Sequence, residues 1–285
     1  MALDFAYHFG YYPGYFRLGL STSTVTNYIE TKVYVLFYKQ VVLEWTIPSK
    51  WGMCVFDIYK SNTEYGPFEK LTNTPINANI FIDTTTQAFS KFENDFYVIE
   101  CQLPDGRRIV TKPITWINKR NNWAEIRSNE IQRRETLLLE RYTGISTLVF
   151  RRRTFGKRCH RCWNTTINKV TEDKCPVCTG TSFEGGYFSG FKTVIQYDPT
   201  PNNKVFAQQG IIEPNVITAW TIAYPEINSL DLILRIPDWK MYRVEAVQTT
   251  ELQAVPVRQI LQLTELDKES IEFELAKQVI PEEYQ

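Results

Sequence analysis

A chain of 285 residues with 43% apolar and 14% aromatic content can fill two or three domain cores, and it is too long for one small module. Lys plus Arg number 32, as do Asp plus Glu, so the formal net charge of zero names no nucleic-acid or membrane partner in bulk. No stretch approaches about 18 uninterrupted apolar residues, which argues against a helical membrane span.

The opening Met1–Phe16 is aromatic and contains Gly, without a basic start leading into an apolar run. That pattern predicts no secretory leader, and hence synthesis in a cytosol where thiols stay reduced. Residues 1–24 read as an N-terminal arm: either a surface segment on its own domain or one that docks on a neighbouring subunit.

Residues 25–117 read as a run of strands. Val33–Tyr38 is one apolar run, Val41–Thr46 alternates up to Pro48, and Cys54–Tyr59 alternates again. Ile80–Ile82, Asp95–Cys101 and Arg108–Val110 follow, separated by Gly66-Pro67 and Pro104-Asp105-Gly106 turns. Short strands at this spacing predict a β-sandwich. Cys54 and Cys101 fall on neighbouring strands and read as buried free thiols rather than a disulfide.

The order Leu43-Glu44-Trp45 with Pro48, Ile58-Tyr59-Lys60-Ser61, Gly66-Pro67-Phe68-Glu69-Lys70-Leu71, Ile82-Asp83-Thr84 and Phe96-Tyr97-Val98-Ile99 resembles a fibronectin type III domain. The resemblance implies a core role for Trp45 and a corner hydrogen bond for Tyr97. It implies a spacing or adhesive module rather than a catalyst.

Within 118–150, Trp123, Ile126, Ile131, Leu138 and Tyr142 recur at helical spacing, which predicts one long linking helix over 121–143, with Gly144 as its C-terminal cap. Leu148-Val149-Phe150 continues as a strand. Between 119 and 161 lie 12 Lys or Arg against 4 Glu, while 264–285 carries seven acidic and two basic residues. Arg151, Arg152, Arg153, Lys157, Arg158 and Arg161 form the densest basic segment. It reads as a solvated face, as one side of a head-to-tail interface, or as a face towards nucleic acid.

Residues 151–190 contain Cys159-His160-Arg161-Cys162 and, after twelve intervening residues, Cys175-Pro176-Val177-Cys178. Each Cys-x-x-Cys turn aims two thiolates at one centre, and two such turns complete a tetrahedral site with metal–sulfur distances of about 2.3 Å. Cys159, Cys162, Cys175 and Cys178 are therefore the predicted ligands of a structural zinc. A single iron would use the same ligands, and an iron–sulfur cluster or two disulfides are the alternatives. Four thiolates leave no coordination position for water, so the ion stabilises the fold rather than catalysing. His160 is expected to point away from it. The only other histidine is His8, and no triad or phosphate-cradling glycine loop is recognisable, so no catalytic residues are assigned.

Residues 191–285 return to strands at Lys192–Tyr197, Asn215–Tyr224, Asp231–Leu234, Met241–Val247, Val257–Leu263 and Ser270–Leu275, and predict a small C-terminal β-barrel. The expected fold class is thus mainly β: a sandwich, a linking helix, a four-cysteine zinc-ribbon insert and a barrel.

The run Leu137-Leu138-Leu139, Gly144, Arg151-Arg152-Arg153, Gly156, Cys159-x-x-Cys162-Trp163, Cys175-x-x-Cys178-x-Gly180-Thr181 and Phe183-x-Gly185-Gly186-Tyr187 is similar to virion proteins of tailed phages. The Asp231-Leu232-Ile233, Tyr242–Val247 and Arg258–Leu266 segments resemble their head-tail joining, or head-closure, proteins. Such proteins are usually much shorter than this chain. The resemblance implies a neck or connector subunit in a homo-oligomeric ring, assembled in the host cytoplasm into the virion. Its partners would be portal or adaptor and tail proteins, with packaged DNA nearby and no membrane. A tail or baseplate component, and a zinc-ribbon protein binding nucleic acid, are the alternatives.

Overall fold

The computed structural model describes residues 23–25, 29–36, 40–85, 95–115, 123–172, 175–198, 205–207, 210–212, 216–281 and 284. Of the arm over 1–24, residues 1–22 lie outside the described residues, as does the 199–204 part of the polar turn, while Ser23 and Thr24 belong to a strand. Two compact units divide the chain, 1–119 and 120–285. Among the described residues, no helix is long and apolar enough to cross a membrane.

The first unit holds strands β1 (Ser23–Val25), β2 (Glu30–Leu36), β3 (Gln40–Thr46), β4 (Val55–Ser61), β5 (Glu69–Lys70), β6 (Ile80–Asp83), β7 (Phe96–Gln102) and β8 (Arg108–Val110). They form a three-stranded sheet in the order β2-β3-β6 and a five-stranded sheet in the order β1-β8-β7-β4-β5. Trp45 of one sheet meets Phe56 of the other with ring centroids 5.0 Å apart, and both are buried. The Tyr97 hydroxyl donates to Asp83 Oδ2 at 2.9 Å, which ties β7 to β6. Asp83 is itself buried, and Lys60 Nζ lies 3.3 Å from it and 3.2 Å from Asp95. Each of these buried charges thus has an opposite charge at contact distance.

Cys54 and Cys101 are both fully buried free thiols in this unit. The hydrogen bond between them, then burial, pushes the Cys101 thiol far above its ordinary range. Such a thiol is a small apolar core residue rather than a nucleophile.

Besides the two-stranded pairs β10–β11 (Trp163–Asn164, Lys169–Val170) and β13–β14 (Val205–Ala207, Gly210–Ile212), the second unit is built on β9 (Ile145–Phe150), β12 (Phe191–Tyr197), β15 (Val216–Ile222), β16 (Leu232–Arg235), β17 (Lys240–Leu252) and β18 (Val255–Glu265). They close into a barrel in the order β12-β15-β18-β17-β16-β9, every pair antiparallel. β9 is therefore a barrel strand and not part of a linker. The side chains of Val149, Phe191, Ile195, Ile233 and Leu261 fall on the same face as Tyr197 and Tyr242. Those two tyrosines come from non-adjacent strands, and their rings lie 5.5 Å apart, which marks that face as the lumen. Arg235 stands over both rings at 5.1 and 5.4 Å.

Helix α1 (Trp123–Leu138) packs on β18 and β15, within the second unit. Gln132 donates to the Pro256 carbonyl, and Arg258 Nε lies 2.9 Å from Glu135 Oε1. A π-turn, Leu139–Thr143, ends the helix. Gly144 caps this end as expected, its N–H donating to the Leu139 carbonyl at 2.9 Å, with φ −84° rather than a left-handed backbone. Glycine is needed there for space, because an added Cβ would lie 2.5 Å from the Leu139 carbonyl oxygen and overlap Val194. Gly144→Ala should therefore cost about 1–3 kcal/mol through overpacking, read as a lowered denaturant midpoint.

The segment Ser270–Leu275 is a helix and not a strand. Its Ile-Glu-Phe-Glu-Leu alternation mimics period two, but Ser270 caps helix α2 (Ile271–Lys277) by accepting a hydrogen bond from Phe273 N. Glu272 and Glu274 in the first turn favour the helix dipole. Phe273, Leu275 and Ala276 cover Leu148, Phe150, Leu232, Leu234 and Met241 on the outer face of the barrel. Tertiary burial of three apolar residues selects the helix over the local alternation.

Candidate metal centre

The Cys segment grows out of the barrel wall. β9 and β12 pair as neighbours through Val149 and Phe191, and their chains continue past the barrel as isolated bridges between Arg152 and Tyr187 and between Arg158 and Phe183. At the far end, β10 (Trp163–Asn164) and β11 (Lys169–Val170) form a two-stranded hairpin between the two cysteine pairs. The insert is therefore the elaborated connection of two adjacent barrel strands.

Its four cysteines converge. The sulfurs of Cys159, Cys162, Cys175 and Cys178 all lie within 4.8 Å of one another, and all four residues are buried. Cys159 Sγ is 3.8 Å from Cys175 Sγ, and Cys162 Sγ is 3.2 Å from Cys178 Sγ. A tetrahedron with metal–sulfur bonds of about 2.3 Å has sulfur–sulfur edges of about 3.8 Å. The donor set thus fits one small tetrahedral cation.

Local backbone supplies the rest of the cradle. The N–H groups of Arg161 and Cys162 bond to the Cys159 sulfur, and those of Gly180 and Ser182 bond to the Cys178 sulfur. Gly180 has φ +74° and Gly186 has φ +67°, and a Cβ on Gly186 would press on the Cys178 carbonyl at 3.3 Å. Thr181 Oγ1 donates to the Cys178 carbonyl at 2.8 Å, and Cys159 N donates to Ser182 O at 2.9 Å. Burial pushes the Cys162 and Cys178 thiols up. For Cys159 burial is the largest influence and acts upward. The amides of Cys162 and Arg161, with neighbouring thiols, outweigh it, and the net direction is down. Chemically the site can hold a soft or borderline cation with all four positions filled by sulfur.

His160 points away from the sulfurs. Its Nδ1 lies 2.9 Å from Glu184 Oε1, and the side chain is 71% exposed. Glu184 also holds Lys157 Nζ at 3.0 Å, and its hydrogen bonds to His160 first and Lys157 second keep its carboxyl below the usual range.

The basic segment divides in two. Arg151 is buried, donates to the Glu226 carbonyl and stacks over Phe191 at 5.3 Å. Arg152 Nη2 reaches the Thr179 carbonyl, and Arg153 Nε donates to Tyr187 O at 2.9 Å while stacking over Phe188. Arg158 lies between the Trp163 and Phe183 rings, at 4.0 and 4.4 Å. These four guanidinium groups hold the insert to itself and to the barrel. Lys157 and Arg161, 65% and 54% exposed, face solvent.

Sequence reasoning missed the acid beneath this segment. Asp231 is buried beside β16, and its two oxygens accept from Arg152 N at 2.9 Å and Asn228 N at 2.8 Å. Burial raises its pKa to about 6, against the amide bonds and the Arg151 and Arg152 charges. A carboxyl raised in the folded state binds its proton more tightly when folded. The stability it contributes is fully present below its ordinary value of 3.8 and is lost as pH rises through about 6. A shift of this size corresponds to roughly 3 kcal/mol. In wild type, lowering pH from 7 towards 5 should recover part of that. Asp231→Asn should remove this component, so the difference between the two denaturation profiles changes with pH across that window. A constant difference would refute it.

No family model matches the chain, and no curated protein matches it.

Proposed function

We propose that this protein is a non-enzymatic structural subunit of a tailed-phage virion, a neck or connector ring component between portal and tail, carrying one structural zinc. The observation that carries the reading is the closed, buried four-cysteine cluster on an insert in a barrel wall. It lies within the segment from Leu137 to Tyr187 that resembles tailed-phage virion proteins. The sheet orders β2-β3-β6 and β5-β4-β7-β8, with Trp45 buried between them, support a fibronectin-like sandwich in the first unit. Two knuckles around a short hairpin support a zinc ribbon in the second. The internal commitment of Arg151, Arg152, Arg153 and Arg158 weighs against the nucleic-acid-binding alternative, because those charges are spent on carbonyls and aromatic rings.

Native mass spectrometry of the purified chain tests the proposal. One zinc per chain in a closed ring is the expected result. A monomer whose binding to free DNA collapses with added salt would replace the connector reading with the nucleic-acid one.

A further inference from the structure

Helix α1 buries its polar side. Ser128, Thr136 and Glu135 are 0%, 4% and 7% exposed against the barrel, together with Leu139 from the π-turn. Flanking it, Arg127, Ile131, Arg134, Leu138 and Arg141 recur at alternating intervals of four and three residues, with Tyr142 four beyond Leu138, and so form one exposed stripe, in which Arg134 also pairs with Glu130 at 2.8 Å. Ile131, Leu138 and Tyr142 are 37%, 42% and 79% exposed. A helix that turns its apolar stripe to water and its polar stripe to the core is shaped for a second surface.

The arginines select what that surface is. A symmetric α1–α1 contact would set Arg127, Arg134 and Arg141 against their own copies, and nucleic acid has no use for Ile131 and Leu138 between them. The complementary surface is acidic with an apolar centre. The chain carries one on the other side of the same barrel. α1 lies on β18 and β15, whereas α2 lies over β9, β16 and the start of β17, across the ring of strands. There Asp267, Glu269 and Glu274 are exposed around Ile271, itself 38% exposed, and between 267 and 277 four acidic residues stand with two basic ones, Lys268 and Lys277, the latter paired with Glu274.

We infer that the α1 stripe of one copy docks on the Asp267–Glu274 face of α2 in the next copy, head to tail. Complementary patches on opposite sides of one unit make a heterologous contact. Such contacts repeat until they close a ring or extend as a filament. The inference deepens the ring-subunit reading and rests on it, by naming the surfaces the ring would use.

Sedimentation velocity of the full chain, wild type and two variants, tests it. Arg134→Glu alters the head and Glu274→Lys the tail. Both side chains are well exposed, at 73% and 59%, so folding and metal content should stay unchanged. Wild type should assemble, and each variant alone should associate at least about tenfold more weakly. An equimolar mixture of the two should recover assembly, because Arg134 of one variant still meets Glu274 of the other and the contact between the two substituted positions is again opposite in charge. Tyr142→Ala substitutes for Arg134→Glu if the latter fails to fold. Assemblies that survive both variants, or a mixture that stays monomeric, overturn this interface and leave the ring reading standing. A wild-type chain that is monomeric at tens of micromolar overturns both.

Discussion

Replacing Cys175 with Ser should release the bound metal and melt the insert between β9 and β12, while the first unit keeps its own unfolding transition. Among the described residues, the apolar side chains packed on the four sulfurs are only Val170 and Val177, while the buried rings of Phe155, Phe183 and Phe188 lie elsewhere in the insert. Its two-stranded hairpin is too small to be stable alone. Structural zinc in isolated fingers is bound with about 10–16 kcal/mol at neutral pH, and that binding energy is folding energy. The loss should exceed the cost of any single core truncation. It will spread into the barrel, because Arg152 N and Arg151 Nη2 connect the base of the insert to Asp231 and Glu226. Metal content by mass spectrometry, with thermal unfolding followed on the same sample, reads both effects. A chelator should reproduce the variant in the wild type. Retained metal with an unchanged melting curve would rule out a four-thiolate site.

The second large effect belongs to Gln259. Its side chain is buried at 2% exposure on β18 and closes the loop after β15. Oε1 accepts from Ile227 N at 2.8 Å, and Nε2 reaches the carbonyls of Ile222, Ala223 and Pro225 at 2.9, 3.1 and 2.9 Å. Gln259→Leu fills the same volume and strands those groups away from water. Each stranded donor or acceptor costs about 1–3 kcal/mol, so a total loss of about 3 kcal/mol or more is expected. For a unit of this size that lowers the melting temperature by roughly 6–12 °C. Gln262→Leu on the same strand is the control: Gln262 is exposed, and its replacement should stay within about 0.5 kcal/mol. Equal effects at the two positions would refute the loop-closing role. Gln259 also lines a groove of about 450 Å³ with Glu226, Val247 and Glu251, so loosening this loop should open that wall.

How much of this was legible beforehand depends on how local the cause is. Six strands of the first unit were legible because alternation and turn residues sit within a few positions of each other, whereas β1 and the two-residue β5 were not. β3, β4 and β7 fall within a residue or two of their predicted bounds. The tail helix was not legible. Ile271-Glu272-Phe273-Glu274-Leu275 alternates like a strand, and only the apolar outer face of β9, β16 and β17 gives a helix there something to bury against. α1 was legible as a helix, but its recurring apolar residues do not mark its buried face: Ile131, Leu138 and Tyr142 are exposed.

The candidate centre divides the same way. Two Cys-x-x-Cys turns determine by themselves that each pair of sulfurs converges, because the geometry is closed within four residues. That the two pairs meet, within 4.8 Å, needs only a twelve-residue hairpin between them. The fate of the surrounding arginines is set otherwise. Arg151, Arg152, Arg153 and Arg158 read as a charged run in one dimension. In the folded chain they find carbonyls at 179, 187 and 226 and rings at 163, 183, 188 and 191. Those partners are brought beside them by pairing across the insert and the barrel. A charge announces itself in sequence, but whether it faces water or a buried carbonyl depends on strand register. Long-range pairing sets that register, and only the tertiary structure decides it.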